Sequence, residues 1–138
     1  IFYTNDGEWA NTIAHPSFSV EKEYIVHTRE KMERKHLMTA VTGCRIKGEL
    51  YKFERFHIRN SRSISVVLLE GKNREIRKLL DFLGYTVVSL QRIRIGDITL
   101  GKLPTGRFRF LSRKERLSLS TGQSGSAEKK RDTRKPEK

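Results

Sequence analysis

Lys22 and Tyr24 lie two residues apart in a run rich in β-branched residues, a spacing that sends both side chains to one side of a strand. A tyrosine there offers a flat ring on which a base can stack and a hydroxyl that can take or give a proton. A second group sits in Glu70-Gly71-Lys72-Asn73-Arg74-Glu75-Ile76-Arg77-Lys78-Leu79-Leu80. Arg74, Arg77, Lys78 and Asp81 fall at i, i+3, i+4 and i+7, so a helix would carry three cations on one face. Such a cluster suits polyanionic RNA, or it can hold a carboxylate. A third group is Leu90, Arg92 and Arg94, which strand alternation places on one face with Val88, leaving Val87, Ile93 and Ile95 on the other. Cations beside an aliphatic floor suit a nucleotide, its phosphate and its base. Each group also has a plainer reading. A strand tyrosine is commonly a packing residue, a helix cation is commonly solvated, and an Arg-bearing strand face is commonly the wet side of a half-buried sheet.

Positioning these groups requires a definite set of elements. Asp6 can cap a helix running to about Ala14, with Trp9 and Ile13 on its apolar stripe and His15-Pro16 ending it. Residues 20–28 read as a strand, 33–41 as a helix closed by Gly43, and 50–58 and 63–69 as strands. The cationic helix spans 73–83 and stops at Gly84; its other face carries Ile76, Leu79, Leu80 and Leu83, again at i, i+3, i+4 and i+7. An extended stretch covers 86–100 with a break at Gly96. A short strand at 106–111 and a helix at 112–119 capped by Ser112 follow. Helices and strands mix irregularly, so the expected class is α+β, with a mixed, largely antiparallel sheet and flanking helices. One domain covers 1–119. The tail 120–138 is basic, rich in Ser, Gly, Lys and Arg, and without apolar periodicity, the composition of a disordered extension.

Charge narrows the partner. The 138 residues hold 29 Lys+Arg against 16 Asp+Glu, a net charge of +13. Residues 121–138 contribute six cations and three acids, so most of the excess belongs to the domain itself. A basic surface of this kind points to phosphate backbones. Cys44 is the single cysteine, which excludes an intrachain disulfide and a multi-cysteine zinc site, and it fits a reducing, cytoplasmic setting. His15, His27, His36 and His57 lack metal-ligand spacing, and no run approaches the roughly 20 apolar residues of a membrane span. Neither a metal nor a membrane is therefore expected as a partner.

Four blocks in order, "YTNDGEWAN", "VEKEYIV", "EGKNREIRKLL" and "VVSLQRIRIGDITLGKLPTGRFRFL", resemble the catalytic domain of the RsuA-type ribosomal RNA pseudouridine synthases over residues 3 to 112. The resemblance implies isomerisation of a uridine to pseudouridine in ribosomal RNA, with no metal or organic cofactor. The sequence does not give the oligomeric state, and a monomer is the expectation for the intact protein. It implies that Tyr24, in Lys22-Glu23-Tyr24, stacks on the target base and assists proton removal. It implies that Arg77 pairs with the catalytic aspartate and that Leu90 packs near the base. Lys22, Lys72, Asn73, Arg74, Lys78, Arg92 and Arg94 are then the expected RNA contacts. A target base inside a duplex must leave its stack, which favours loops and unpaired sites.

The family's aspartate belongs to a Gly-Arg-Leu-Asp motif shortly upstream of "TNDG", and Arg-Leu-Asp occurs nowhere in this sequence. Asp6, Asp81 and Asp97 sit in other blocks. The expectation is a domain incomplete at its N-terminus, whose nucleophile lies upstream of Ile1 and whose isolated form is inactive. Apolar surface around Phe2, Trp9 and Ile25 should then lie open, with poor solubility as the result. A non-catalytic RNA-binding module related to the family is the alternative.

Overall fold

The computed structural model describes residues 1–72 and 74–120. Asn73 and the tail 121–138 lie outside the described residues. The chain begins with α1 (Gly7–Ala14) and a 3-10 turn (Pro16–Phe18), then β1 (Lys22–Thr28), α2 (Arg34–Thr42), β2 (Cys44–Ile46) and β3 (Glu49–Tyr51). It continues with β4 (Arg55–Asn60), β5 (Ser63–Leu68), α3 (Glu75–Phe82), β6 (Val87–Ile95), β7 (Ile98–Thr99) and α4 (Arg113–Ser120). The main sheet has the order β4-β5-β1-β6-β7, every neighbouring pair antiparallel, and β2 and β3 form a separate hairpin. This is the expected α+β class.

The sequence-level caps form. The Asp6 carboxylate accepts the Trp9 backbone N–H at 3.1 Å and starts α1. At α4, Ser112 Oγ accepts the Glu115 N–H at 3.1 Å while the Glu115 carboxylate accepts the Ser112 N–H at 2.8 Å. Each thus satisfies a donor that the first helical turn would otherwise leave bare. On α3, Ile76, Leu79 and Leu80 are buried, whereas Arg74, Lys78 and Asp81 are exposed. Burying each of those two fully enclosed leucines contributes about 1.5–3 kcal/mol, and it fixes which way the cationic face points.

Two apolar clusters result. The larger joins Val26, Ile64 and Val66 of β1 and β5 to Leu37 and Ala40 of α2 and to Leu79 and Leu80 of α3. Both helices therefore cover the same face of the sheet. The smaller cluster is built from Ile13, Val20, Ile95, Ile98 and Leu119, so α1 and α4 close the other end. Gly96 makes that closure possible. It sits at φ +55°, and a Cβ there would collide with the Leu119 side chain.

Three expectations need correction. The stretch 50–58 is not one strand. Phe53 turns wholly inward, its N–H donating to Ala40 O at 2.9 Å, and divides β3 from β4. β3 pairs instead with β2 through a two-residue loop, Lys47-Gly48, both residues at positive φ, as the twist of a tight hairpin demands. Residues 106–111 form no strand among the described residues, because alternation makes a strand only where a partner supplies the ladder. Phe2 and Trp9 are half-buried rather than bare, their rings 5.6 Å apart against the smaller cluster, and Ile25 is half-buried too. The widely exposed apolar residues are others: Ile1, Tyr3, Phe108 and Phe110, each more than three-quarters exposed.

Among the described residues no helix is long and apolar enough to cross a membrane, and no group of three or more His, Cys, Asp or Glu could hold a metal ion.

Candidate active site

β1 is the middle strand of the sheet, and its two ladders decide which side chains meet. Tyr24 stands opposite Val66 of β5 and Arg92 of β6; Val26 stands opposite Ile64 and Leu90; Lys22 stands opposite Leu68 and Ile95. Directly opposed residues point to one face of an antiparallel pair. Lys22, Tyr24, Leu90 and Arg92 therefore share a face, the one that carries Val26 and Val66 into the core beneath α2 and α3. Tyr24 and Leu90 are half-buried against the edge of that core.

Arg94 is not with them. The β1–β6 register shifts between Glu23 and Tyr24: one step on β1 spans two on β6, from Arg94 to Arg92. Ile93 is the extra residue of a β-bulge, and a bulge breaks simple alternation. Arg94 consequently stands opposite Glu23 on the far face. There its Nε donates to Glu23 at 2.8 Å, its Nη2 to Glu21 at 3.1 Å and its Nη1 to Gly96 O at 2.7 Å. Glu21 in turn receives both Nη groups of Arg55, at 2.6 and 2.9 Å. Two acids and two guanidinium groups close the network electrically. The Arg55 hydrogen bonds, foremost, and those of Arg94 hold the Glu21 carboxyl below its usual range.

The near face has no such balance. Arg92 is exposed and forms no ion pair among the described residues. Lys22 is half-buried, donates to Leu69 O at 3.4 Å and has Arg92 as its charged neighbour. Burial first, and the Arg92 charge second, push the Lys22 ammonium below its usual pKa. None of the residues paired on this face of β1, β5 and β6 is acidic. The face thus offers an aromatic ring, an aliphatic side chain and two uncompensated cations.

α3 packs against β6 and β2. It carries Arg77, half-buried and without a side-chain hydrogen bond or ion pair among the described residues. Arg74, at the helix N-cap, takes a left-handed backbone with φ +53°. That conformation is unfavourable for a residue with a Cβ. Its side chain is exposed and unpaired among the described residues.

Lys72 and Lys78 turn elsewhere. Both ammonium groups lie near the ring of buried Tyr51, at 5.3 and 5.6 Å from its centroid. Lys72 also donates to Leu50 O and lies 3.6 and 3.8 Å from Glu70 and Glu49. Lys78 donates to the Tyr51 hydroxyl at 3.4 Å, and that hydroxyl donates to Glu49 at 2.9 Å. These lysines tie the β2–β3 hairpin to α3 and to the turn before it.

Sequence reasoning missed Tyr51 and Glu75. Glu75 is buried in the first turn of α3, where it accepts the Lys72 backbone N–H at 3.3 Å. Loss of solvent pushes its carboxyl upward, beyond what the backbone N–H groups of Lys72 and Lys52 recover. Its position three residues after Lys72 is the available signal, a reach-back geometry without the usual Ser or Thr cap.

A cleft of about 1170 Å³ borders β6 on the side of the smaller cluster, lined by Tyr3, Arg92, Phe108, Phe110, Arg113 and Arg116 among others. Tyr24, Arg77 and Leu90 lie outside it.

No protein-family model matches the chain. An uncharacterized RNA pseudouridine synthase of Borreliella burgdorferi is 37% identical over 111 residues, covering 80% of this chain and 45% of that protein. The ribosomal large subunit pseudouridine synthase B of Vibrio cholerae is 37% identical over 120 residues, 83% of this chain and 37% of the other. A crystal structure of a pseudouridylate synthase superposes with a TM-score of 0.80 at 28% identity, over 84% of this chain and 52% of that one. The chain is a homologue of the RsuA-type pseudouridine synthases. It spans less than half the length of these curated relatives. In this pseudouridine synthase homologue, the Lys22-Glu23-Tyr24 strand and the Leu90–Arg92 stretch are neighbours in the sheet, and the helix bearing Arg77 packs on β6.

Proposed function

We propose that this chain is part of an RNA pseudouridine synthase acting on ribosomal RNA in the cytoplasm, and that the Tyr24 face receives the target uridine. The observation that carries the reading is the opposition of Tyr24 and Arg92, with Leu90 beside them and no acid paired on that face. A uracil ring would stack on Tyr24 and rest on Leu90. Phosphates flanking it would meet Arg92 and Lys22, whose charges lack acidic partners. Arg77, free of other partners among the described residues, would orient the attacking carboxylate and keep it ionised. That carboxylate would attack the sugar carbon as its bond to uracil N1 breaks; the freed uracil would turn, C5 would displace the carboxylate from that carbon, and N1 would gain a proton as C5 loses one, the Tyr24 hydroxyl taking part in that last transfer.

The nucleophilic aspartate would come from sequence preceding Ile1. Two observations support this: the chain covers only part of its relatives' length, and no acid is paired on the Tyr24 face. The exposed Ile1, Tyr3, Phe108 and Phe110 around the cleft fit a surface that such a preceding segment would cover.

The test compares the 138-residue chain with the polypeptide encoded by the full reading frame, using transcribed ribosomal RNA and carbodiimide-dependent reverse-transcription stops. The expected result is pseudouridine from the longer protein, none from the shorter, and loss of activity when the upstream Asp becomes Asn. RNA binding without turnover by the longer protein would favour a non-catalytic module instead.

A further inference from the structure

On β6, Arg92 and Arg94 lie two residues apart, and unbroken alternation would put both on one face. They are separated because Ile93 bulges. A bulge costs ladder hydrogen bonds and persists where something holds it. What holds this one is visible on the far face. Arg94 spends its Nε, Nη1 and Nη2 on Glu23, Gly96 O and Glu21, and Glu23 is the β1 residue at which the register shifts. The Arg94, Glu21 and Glu23 side chains are 19%, 19% and 24% exposed, shielded enough for a guanidinium fork to fix geometry. Were Arg94 released, β6 could slide into regular alternation, and Arg92 would turn away from Tyr24.

We propose that Glu23 and Arg94 are a positioning pair: they lock the Ile93 bulge, and thereby hold Arg92 on the Tyr24 face, while Arg94 itself meets no RNA. The inference rests on the reading above that RNA comes to the Tyr24 face. It reassigns Arg94 from the RNA contacts to the scaffold, and it gives an acidic residue, Glu23, a part in binding a polyanion.

The test is a double-mutant cycle on the 138-residue chain, read by fluorescence anisotropy with a labelled hairpin RNA carrying unpaired uridines. Arg92→Gln should weaken binding and reduce the salt slope by about 0.7, the loss of one single-strand phosphate contact. Arg94→Gln should weaken binding about 5- to 50-fold in the native background and less than about 2-fold in the Arg92→Gln background. Additive losses in the cycle would overturn the proposal, because they mean that Arg94 touches RNA on its own account. Glu23→Gln keeps every cation and removes an anion. Charge alone would make it bind RNA more tightly; the positioning account has it bind more weakly, again only where Arg92 is present. Tighter binding by Glu23→Gln overturns the proposal, and this variant carries the test if Arg94→Gln does not fold. Native binding with additive losses sinks this inference alone, whereas no salt-dependent binding by the native chain sinks the RNA reading with it.

Discussion

Tyr24 stands directly opposite Arg92 in the β1–β6 ladder, and Leu90 stands opposite Val26 two pairs along. A stacking ring, a cation and an aliphatic side chain thus come from two strands that the 58 residues of intervening chain, 29–86, must fold to bring together. The Tyr24 hydroxyl has no partner among the described residues, so it is idle in the fold itself. Tyr24→Phe should leave the melting temperature of the chain unchanged, read by circular dichroism. In the longer protein the same change should lower kcat by about 10²-fold or more while moving KM little, the signature of a lost proton-transfer group.

Acid should loosen α4. The Arg109 guanidinium donates to both Glu115 oxygens, and with the Ser112 N–H it brings the Glu115 carboxyl down to about 2. A lowered carboxylate pKa gives stability that is present above the unfolded value and lost as pH falls through the folded one. The window therefore runs from the ordinary carboxylate range down to about 2. Trp9 reports on it, since its indole N–H donates to Arg116 O of α4 at 3.2 Å and it is the single tryptophan. Its emission should shift to the red across that window, and Glu115→Gln should abolish the pH dependence of the shift.

Glu75 should behave with the opposite sign. Burial raises its carboxyl pKa, so its ionised form costs stability above that pKa and the cost disappears as pH falls. Glu75→Gln keeps one oxygen to accept from the Lys72 and Lys52 backbone N–H groups and removes the charge. It should raise the melting temperature at pH 8 and leave it unchanged near pH 4. A lower melting temperature at pH 8 would show that the charge is compensated in the fold.

Gly96→Ala should be among the most damaging single-methyl changes in the chain. It combines a left-handed φ of +55° with a collision against Leu119. The two together should cost about 2–4 kcal/mol, read by urea unfolding. In a Leu119→Ala background, itself destabilised by the lost packing, Gly96→Ala should cost less than it does in the native chain.

The elements that hold the site were legible where one signal sufficed. Asp6 and Ser112 announced α1 and α4, and Ile76, Leu79 and Leu80 announced α3 and the direction of its cations. Lys22, Tyr24, Leu90 and Arg92 were legible as two strand faces, and the ladders bring those faces together. The bulge at Ile93 was not legible, because alternation carries no record of an extra residue that a salt-bridged partner holds in place. Lys72 and Lys78 looked like neighbours of Arg77 with the same purpose. Their engagement by Tyr51 depends on a hairpin whose only local signal was Lys47-Gly48. The stretch 106–111 has strand alternation but no ladder among the described residues.

Where a uridine lands distinguishes the Tyr24 face from the rest of the surface. Photo-crosslinking a hairpin RNA carrying 4-thiouridine at its unpaired positions, followed by peptide mass spectrometry, locates it without requiring turnover. Adducts are expected on peptides containing Tyr24 and the Leu90–Arg92 stretch, and their loss in Tyr24→Ala. Adducts confined to Phe108 and Phe110, in the cleft that excludes Tyr24, would contradict that placement.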